Sequence, residues 1–357
     1  MASGYRAPVI DVEEVADVLA YQATACRIVG SSLYERILLG ALADVRAGGV
    51  CARVLDDHHV DPYGSALALR FLGAVHRIAL EGRAPALAAL YPSTGGDPSA
   101  GDPVAAFLAT VADHEDEVRH RLADGVQTNE VGRSAALVGG YAEVARRTGL
   151  PLRVLELGAS AGLNLRFDRY CYDTGRHVLG DPASPLRFAD VWDPAPDLSG
   201  PVAVAERRGC DRNPLDPTSE DDRLTLASYV WPDQVVRLAR LRTALELAAE
   251  VPVEVDHADA ADWTAAQLAE PRPGLATVVV HSIVLQYLPP PRRRDLRDAL
   301  ADAGRRASAA APLAWLRMEP ATDDLAEVRL TLWPGGRDEL LGRAGYHGVP
   351  VRWGAAG

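Results

Sequence analysis

Two spacings of apolar residues divide this chain. Up to about residue 148 apolar positions recur at helical intervals. Val15, Leu19, Cys26 and Val29 fall near one face, and Gly30 ends the run. Ser32 and Glu35 have the spacing of a capping box and open a second predicted helix, with Leu33, Ile37, Leu38 and Leu42 turned inward and Gly48-Gly49 after it. Further helices are predicted over 65–81, 103–123 and 130–148. They are separated by Asp61-Pro62 and by the breaker-rich stretch from Tyr91-Pro92 to Asp97-Pro98. No strand pattern stands out in this half.

From Pro151 short apolar runs alternate with longer amphipathic stretches. The runs cover 152–157, 202–205, 251–255, 276–283, 313–316, 328–332 and 349–353, and the clearest helical stretches are 221–250 and 291–310. Strands alternating with helices predict a mostly parallel sheet covered on both faces. The expected architecture is α/β: an all-helical N-terminal domain over 1–148, then a Rossmann-like domain over 149–357.

Composition narrows the chemistry. The 357 residues carry 49 acids against 37 basic residues, and every one of the 37 is arginine. Without lysine there is no P-loop and no Schiff-base enzyme. The net charge of −12 is shared equally by residues 1–150 and 151–357, so neither half offers a basic surface for nucleic acid, and a small-molecule partner is expected. The four cysteines are far apart in sequence and read as reduced thiols in a cytoplasmic protein. No signal pattern opens the chain, and no apolar run approaches the ~20 residues that span a membrane. His58-His59 with Asp56, Asp57 and Asp61 lack a coherent ligand spacing, so no metal site is expected.

The most informative segment runs from Leu152 to Asn164. An apolar strand ends in Glu156, and Gly158-Ala159-Ser160-Ala161-Gly162-Leu163-Asn164 follows as a turn expected to open a helix. Ligands of open α/β sheets bind at the carboxyl ends of strands, where small residues allow close backbone approach. A dinucleotide fingerprint would need glycine where Ser160 stands. The same residues match the G-x-S-x-G elbow of serine hydrolases, yet the elbow strand of that fold follows several others, and here it is the first. The third reading is an S-adenosylmethionine (SAM) site: Glu156 for the amino group, Gly158, Ala159, Ser160 and Gly162 beneath the cofactor, and Asn164 supporting the turn.

Three later segments fit that reading. Asp211 follows the second strand and is the candidate for a ribose diol, with Asp181 as the spare, since 181 has the more usual spacing from Gly162. Asp259 and Ala260 follow the third strand and suit an adenine ring. His281, at the end of the fourth, is the candidate general base and a candidate cofactor contact, with Tyr287 beside it on the catalytic side and Gln286 on the substrate side. Gln127, Asn129, Glu130 and Arg133 precede the sheet and suit a lid or hinge on the substrate side; Arg317, with Glu319, ends a fifth strand.

The order L-E-L-G-A-S-A-G-L-N, G-C-D-x-x-P-L-D, D-A-x-x-W and V-V-V-H-S-I-V-L-Q-Y-L resembles the motifs of class I SAM-dependent methyltransferases. More narrowly, the chain resembles a bacterial family catalogued as domain of unknown function 2332, on Gly73-Ala-Val-His76-Arg77, Leu80-Glu-Gly-Arg-Ala-Pro85, Gln127–Arg133, Ser228–Gln234, Trp315-Leu-Arg317 and Trp333-Pro-Gly-Gly336. The resemblance implies a methyltransferase-like domain with SAM as cofactor. His281-Ser282 stands where amino-methylating enzymes carry Asn/Asp-Pro-Pro-Tyr, which argues against a nucleic-acid base or an amide nitrogen as acceptor. The expected function is therefore methyl transfer to a small molecule. The open alternatives are a non-methylating use of SAM such as intramolecular cyclisation, a non-catalytic ligand-binding module, and a hydrolase built on Ser160.

Overall fold

The computed structural model describes residues 12–58, 66–322 and 324–354. His59 and the Asp61-Pro62 breaker lie outside them. The chain forms two compact units, one of residues 1–126 with 227–235, the other of 127–226 with 236–357.

The first unit is helical in its described residues: α1 (Val12–Ile28), α2 (Ser32–Arg46), α3 (Val50–Leu55), α4 (Leu67–Leu80), α5 (Pro85–Ala88), α6 (Pro103–Asp113) and α7 (Glu115–Arg121). The segment expected as one helix over 103–123 breaks at His114, whose φ is −128°. α4 is mostly apolar and lies in the core of the unit, buried from Leu67 through Ala79 apart from Leu69, with Arg70, His76 and Arg77 buried among the apolar side chains. The Phe71 and Phe107 rings meet edge to face at 5.3 Å.

The second helix is capped by Ser31 rather than by a box at Ser32. The Ser31 hydroxyl accepts from the Tyr34 amide at 3.2 Å and donates to Asp233 at 2.7 Å. Asp233 belongs to residues 227–235, which return to this unit after a long excursion. There the Ser228 carbonyl lies 3.0 Å from His76 Nδ1, the Tyr229 hydroxyl donates to the Gly125 carbonyl, and Trp231 leans on Tyr34. Gly73 faces the Tyr229 ring, which a Cβ would approach to 3.0 Å. Two of the motifs that carry the family resemblance are thus packed against each other.

In the second unit α8 (Arg133–Thr148) leads into an eight-stranded sheet. Its strands are β1 (Leu152–Leu157), β5 (Val204–Asp211), β6 (Glu254–His257), β7 (Ala276–Ser282), β8 (Leu313–Pro320), β9 (Leu325–Trp333), β10 (Arg337–Gly345) and β11 (Val351–Trp353), in the spatial order β6-β5-β1-β7-β8-β9-β10-β11. A separate small sheet of β2 (Cys171–Asp173), β3 (Val178–Gly180) and β4 (Arg187–Ala189) occupies the insertion between β1 and β5. The first five strands of the spatial order are parallel, and β9 to β11 continue as an antiparallel meander. The fold is mixed α/β with a mostly parallel sheet.

Alternation along β8 places the helices. Leu316 meets α8, whereas Leu313 and Trp315 face the core shared with α11 (Ala260–Gln267) and α12 (Pro290–Arg306). The stretch expected as one helix over 221–250 is two, α9 (Glu220–Ser228) and α10 (Val235–Glu250). α8, placed with the helical half from its sequence pattern, packs on β7 to β10 because its face of small residues matches the sheet.

Candidate functional site

Taken in chain order, the five parallel strands are arranged 3-2-1-4-5, so the winding direction reverses between β1 and β7. The carboxyl ends of strands at such a reversal form a crevice for ligands. Backbone strain marks the same place. Four non-glycine residues have positive φ among the described residues, and two of them follow these strands: Ser160 after β1 and the β-branched Ile283 after β7.

Glu156 is the penultimate residue of β1. It is 4% exposed, and its Oε2 is buried without a hydrogen-bond partner. Burial, reinforced by the nearby Asp211 carboxylate, pushes its pKa up to about 8, against the opposing pull of Arg133. The turn beyond it is tightly seated. Gly158 has φ +67°, and a Cβ there would lie 2.6 Å from Val284 Cγ2; one on Gly209 of β5 would lie 2.6 Å from the Ala159 Cβ. The Ala159 amide donates to the Cys210 carbonyl at 3.0 Å.

No α-helix opens at this turn. Residues Asn164–Arg169 form a kinked 3-10 stretch. The cause is Arg166, 2% exposed, whose guanidinium donates to the carbonyls of Ala161, Gly162, Ala248 and Val251. Those bonds tie the turn to the chain before β6 and use acceptors that a regular first helical turn would have needed.

The segment before α8 runs across the strand ends, and most of its polar groups are spent on bracing. Gln127 accepts from the Ser160 hydroxyl at 3.1 Å and donates to the Asn213 carbonyl at 3.1 Å. Asn129 Oδ1 accepts the Leu163 amide, and Asn164 bonds Ser134 and the Glu130 carbonyl. Glu130 holds the Gly132 amide with one oxygen and Arg237 of α10 with the other, at 2.6 Å. Gln127, Asn129 and Glu130, expected on the substrate side, are therefore supports of the turn. Arg133 differs. Its Nε and Nη1 donate to the Tyr346 and Ser282 carbonyls, and its Nη2 has no partner among the described residues. It also lies within electrostatic reach of Glu130, Tyr287 and Glu319.

Of the two ribose candidates, Asp211 is the last residue of β5, where its oxygens accept the Ser160 and Asn213 amides, each at 2.9 Å. A carboxylate has about four acceptor sites, so both oxygens keep room for a hydroxyl. Asp181 lies in an exposed turn after β3 of the small sheet, where its Oδ1 accepts the Ala183 amide. Asp259 is the N-cap of α11, accepting the Ala261 amide, and is paired with Arg292; Ala260 is buried in the first turn.

The expected base is corrected by its neighbours. His281 is 0% exposed, and the Trp315 indole N–H donates to its Nε2 at 2.9 Å. Its Nδ1 must then carry the proton, which it donates to Glu319 Oε1 at 2.6 Å. No ring nitrogen remains to accept a substrate proton. Arg317 likewise is no free cation: it pairs with Asp338 at 2.8 Å, bonds Thr331 and lies over the Trp315 ring at 4.1 Å. Gln286 and Tyr287 lie exposed on the turn after β7. From the sequence alone Glu319 is only a strand end. The alternation Trp315, Arg317, Glu319 puts all three on one face, which was the available signal.

The Ser160 hydroxyl is bonded to Gln127, and both ring nitrogens of His281 are engaged by Trp315 and Glu319, so His281 is not a base for the elbow serine. A fluorophosphonate probe is accordingly expected to leave the protein unlabelled; stoichiometric labelling detected by intact mass and lost in Ser160→Ala would restore the hydrolase reading.

Among the described residues no group of three His, Cys, Asp or Glu side chains is placed to hold a metal ion, and no helix is long and apolar enough to cross a membrane. His59 and Asp61 lie outside those residues. The four cysteines are free and buried. The profile of a bacterial family described as "Uncharacterized protein conserved in bacteria (DUF2332)" matches residues 16–353. No curated protein matches the chain.

Proposed function

The chain belongs to DUF2332, a family whose description carries no activity, and from the strand-end crevice we propose that it is a SAM-dependent enzyme acting on a small molecule, with a methyltransferase-like sheet. The observation that carries the reading is Glu156, a buried carboxyl group with an unpartnered oxygen at the reversal between β1 and β7. A site that keeps such a group calls for a cationic donor from a ligand, because an unmatched buried acceptor costs about 1–3 kcal/mol.

The residues fit the cofactor part by part. Glu156 would hold the amino group. Arg133, close enough to Glu156 to oppose its high pKa, would offer Nη2 to the carboxylate of the same zwitterion. Asp211, fixed by two backbone amides, would take the ribose hydroxyls. Gly158 and Gly209 keep the turn low between the strands. When bound, the cofactor supplies an activated methyl group on a sulfonium. The chain contributes orientation and exclusion of water, which is most of what such a displacement requires.

Calorimetric titration of the full chain with SAM and with S-adenosylhomocysteine tests this. Saturable one-to-one binding of at least one is expected, with a dissociation constant on the order of micromolar. Binding of neither ligand would end the reading and leave a module for some other cation.

A further inference from the structure

The carboxyl end of β8 carries a side-chain relay that the cofactor reading does not use. Trp315 donates to His281, His281 donates to Glu319 Oε1, and the Val284 and Leu285 amides converge on the same oxygen at 3.0 and 3.4 Å. Glu319 Oε1 is thus saturated, while its Oε2 is buried with no partner. The side chain as a whole is 14% exposed. Arg133, whose charge is within reach of Glu319, spends two donors on backbone carbonyls, and the sequence has no lysine to bring an ammonium of its own.

We propose that Glu319 is the substrate-side carboxylate, that its Oε2 receives an N–H of a protonated amine, and that Trp315 and His281 are positioning residues that aim it. The substrate class is then a small primary or secondary amine. The placement of the substrate beside β7 and β8 rests on the cofactor reading, which puts the cofactor over β1 and β5. Three donors on one oxygen fix the plane of the carboxylate and leave a single free direction, and a charged donor compensates the buried charge in a way that a neutral hydroxyl does not. The relay also fixes the ring's orientation: Nε2 faces the Trp315 N–H as acceptor and Nδ1–H faces Glu319 as donor.

The test uses the full chain and two probes, ethylammonium chloride and tetramethylammonium chloride, at matched ionic strength, with and without S-adenosylhomocysteine. The Trp315 indole N–H resonance, assigned by its loss in Trp315→Phe, reports the relay. Ethylammonium is expected to move it saturably, tetramethylammonium, which has no N–H, is expected not to, and Glu319→Gln is expected to weaken ethylammonium at least tenfold, since its amide puts donors where an acceptor is needed. Should Glu319→Gln fail to fold by circular dichroism, calorimetry on Trp315→Phe takes its place, with a severalfold loss of ethylammonium affinity expected. No saturable response, an equal response to both cations, or undiminished affinity in the folded variant overturns the proposal. The two readings separate cleanly. Ethylammonium binding through Glu319 without any S-adenosylhomocysteine binding supports this proposal and sinks the cofactor. Nucleoside binding without an ammonium response does the reverse.

Discussion

Glu156→Gln is expected to stabilise the free protein at alkaline pH while abolishing binding of S-adenosylhomocysteine. The folded carboxyl titrates near 8, far above its ordinary range, because burial and the neighbouring Asp211 oppose its charge. A raised carboxyl pKa means that the folded state holds a proton the unfolded state has released. Its contribution to stability is complete below the unfolded pKa, near 4.3, and is lost as pH rises through the window up to about 8. Each pKa unit corresponds to about 1.4 kcal/mol, so the penalty at pH 9 amounts to several kcal/mol, most of which a non-titrating glutamine should escape. Urea unfolding at pH 5, 7 and 9 checks this. The two proteins should nearly coincide at pH 5 and diverge towards pH 9, with the variant more stable. Parallel curves would mean that Glu156 is neither strained by burial nor waiting for a cation.

Glu130→Ala should do the opposite, whatever the pH between 6 and 9. Glu130 and Arg237 are 4% and 9% exposed and lie 2.6 Å apart. Removing one member of such a pair strands the other charge in a poor solvent, at a cost of about 3–5 kcal/mol. For a unit of this size that is roughly a 10 °C fall in melting temperature. Glu130 Oε1 also holds the Gly132 amide ahead of Arg133, so nucleoside affinity should fall with stability. The double variant Glu130→Gln with Arg237→Met, which leaves no bare charge, should regain most of the loss. A melting temperature within 2 °C of wild type for the single variant would show that the pair contributes nothing.

What the sequence made legible follows from how strands are buried. β1 and β7 are buried at every position, so they stand out as mainly apolar runs interrupted only by Arg153 and Glu156 in β1 and by Thr277, His281 and Ser282 in β7, and the small residues after β1 announce a close approach. β10 (Arg337–Gly345) did not stand out, because it begins Arg-Asp-Glu and pairs with β9 in an antiparallel ladder where charges are tolerated. The 3-10 stretch after Leu163 was read as a helix because nothing local reveals that Arg166 will be drawn to carbonyls of residues 248 and 251.

The same limit shaped the reading of the site. Glu156, Asp211 and Arg133 were accessible because each sits next to a strand end or ahead of the first strand. His281 was placed at the correct strand end but given a free imidazole. Its partners Trp315 and Glu319 lie 34 and 38 residues further on, and sequence position says little about which side chain of the next strand will fill a ring nitrogen's lone pair. Strand order, not motif, decides that.

The return of residues 227–235 to the helical unit has a consequence in time. Asp233 completes the cap of α2 and Trp231 joins the packing around Tyr34, yet about a hundred residues of the other unit are synthesised between Val126 and that segment. At about 5–20 residues per second, the helices that leave the ribosome first wait roughly 5–20 s for their last piece. During that interval the Tyr34 ring and the start of α2 lack the contacts that finish them, which makes the emerging N-terminal unit a client for whatever holds nascent chains apart.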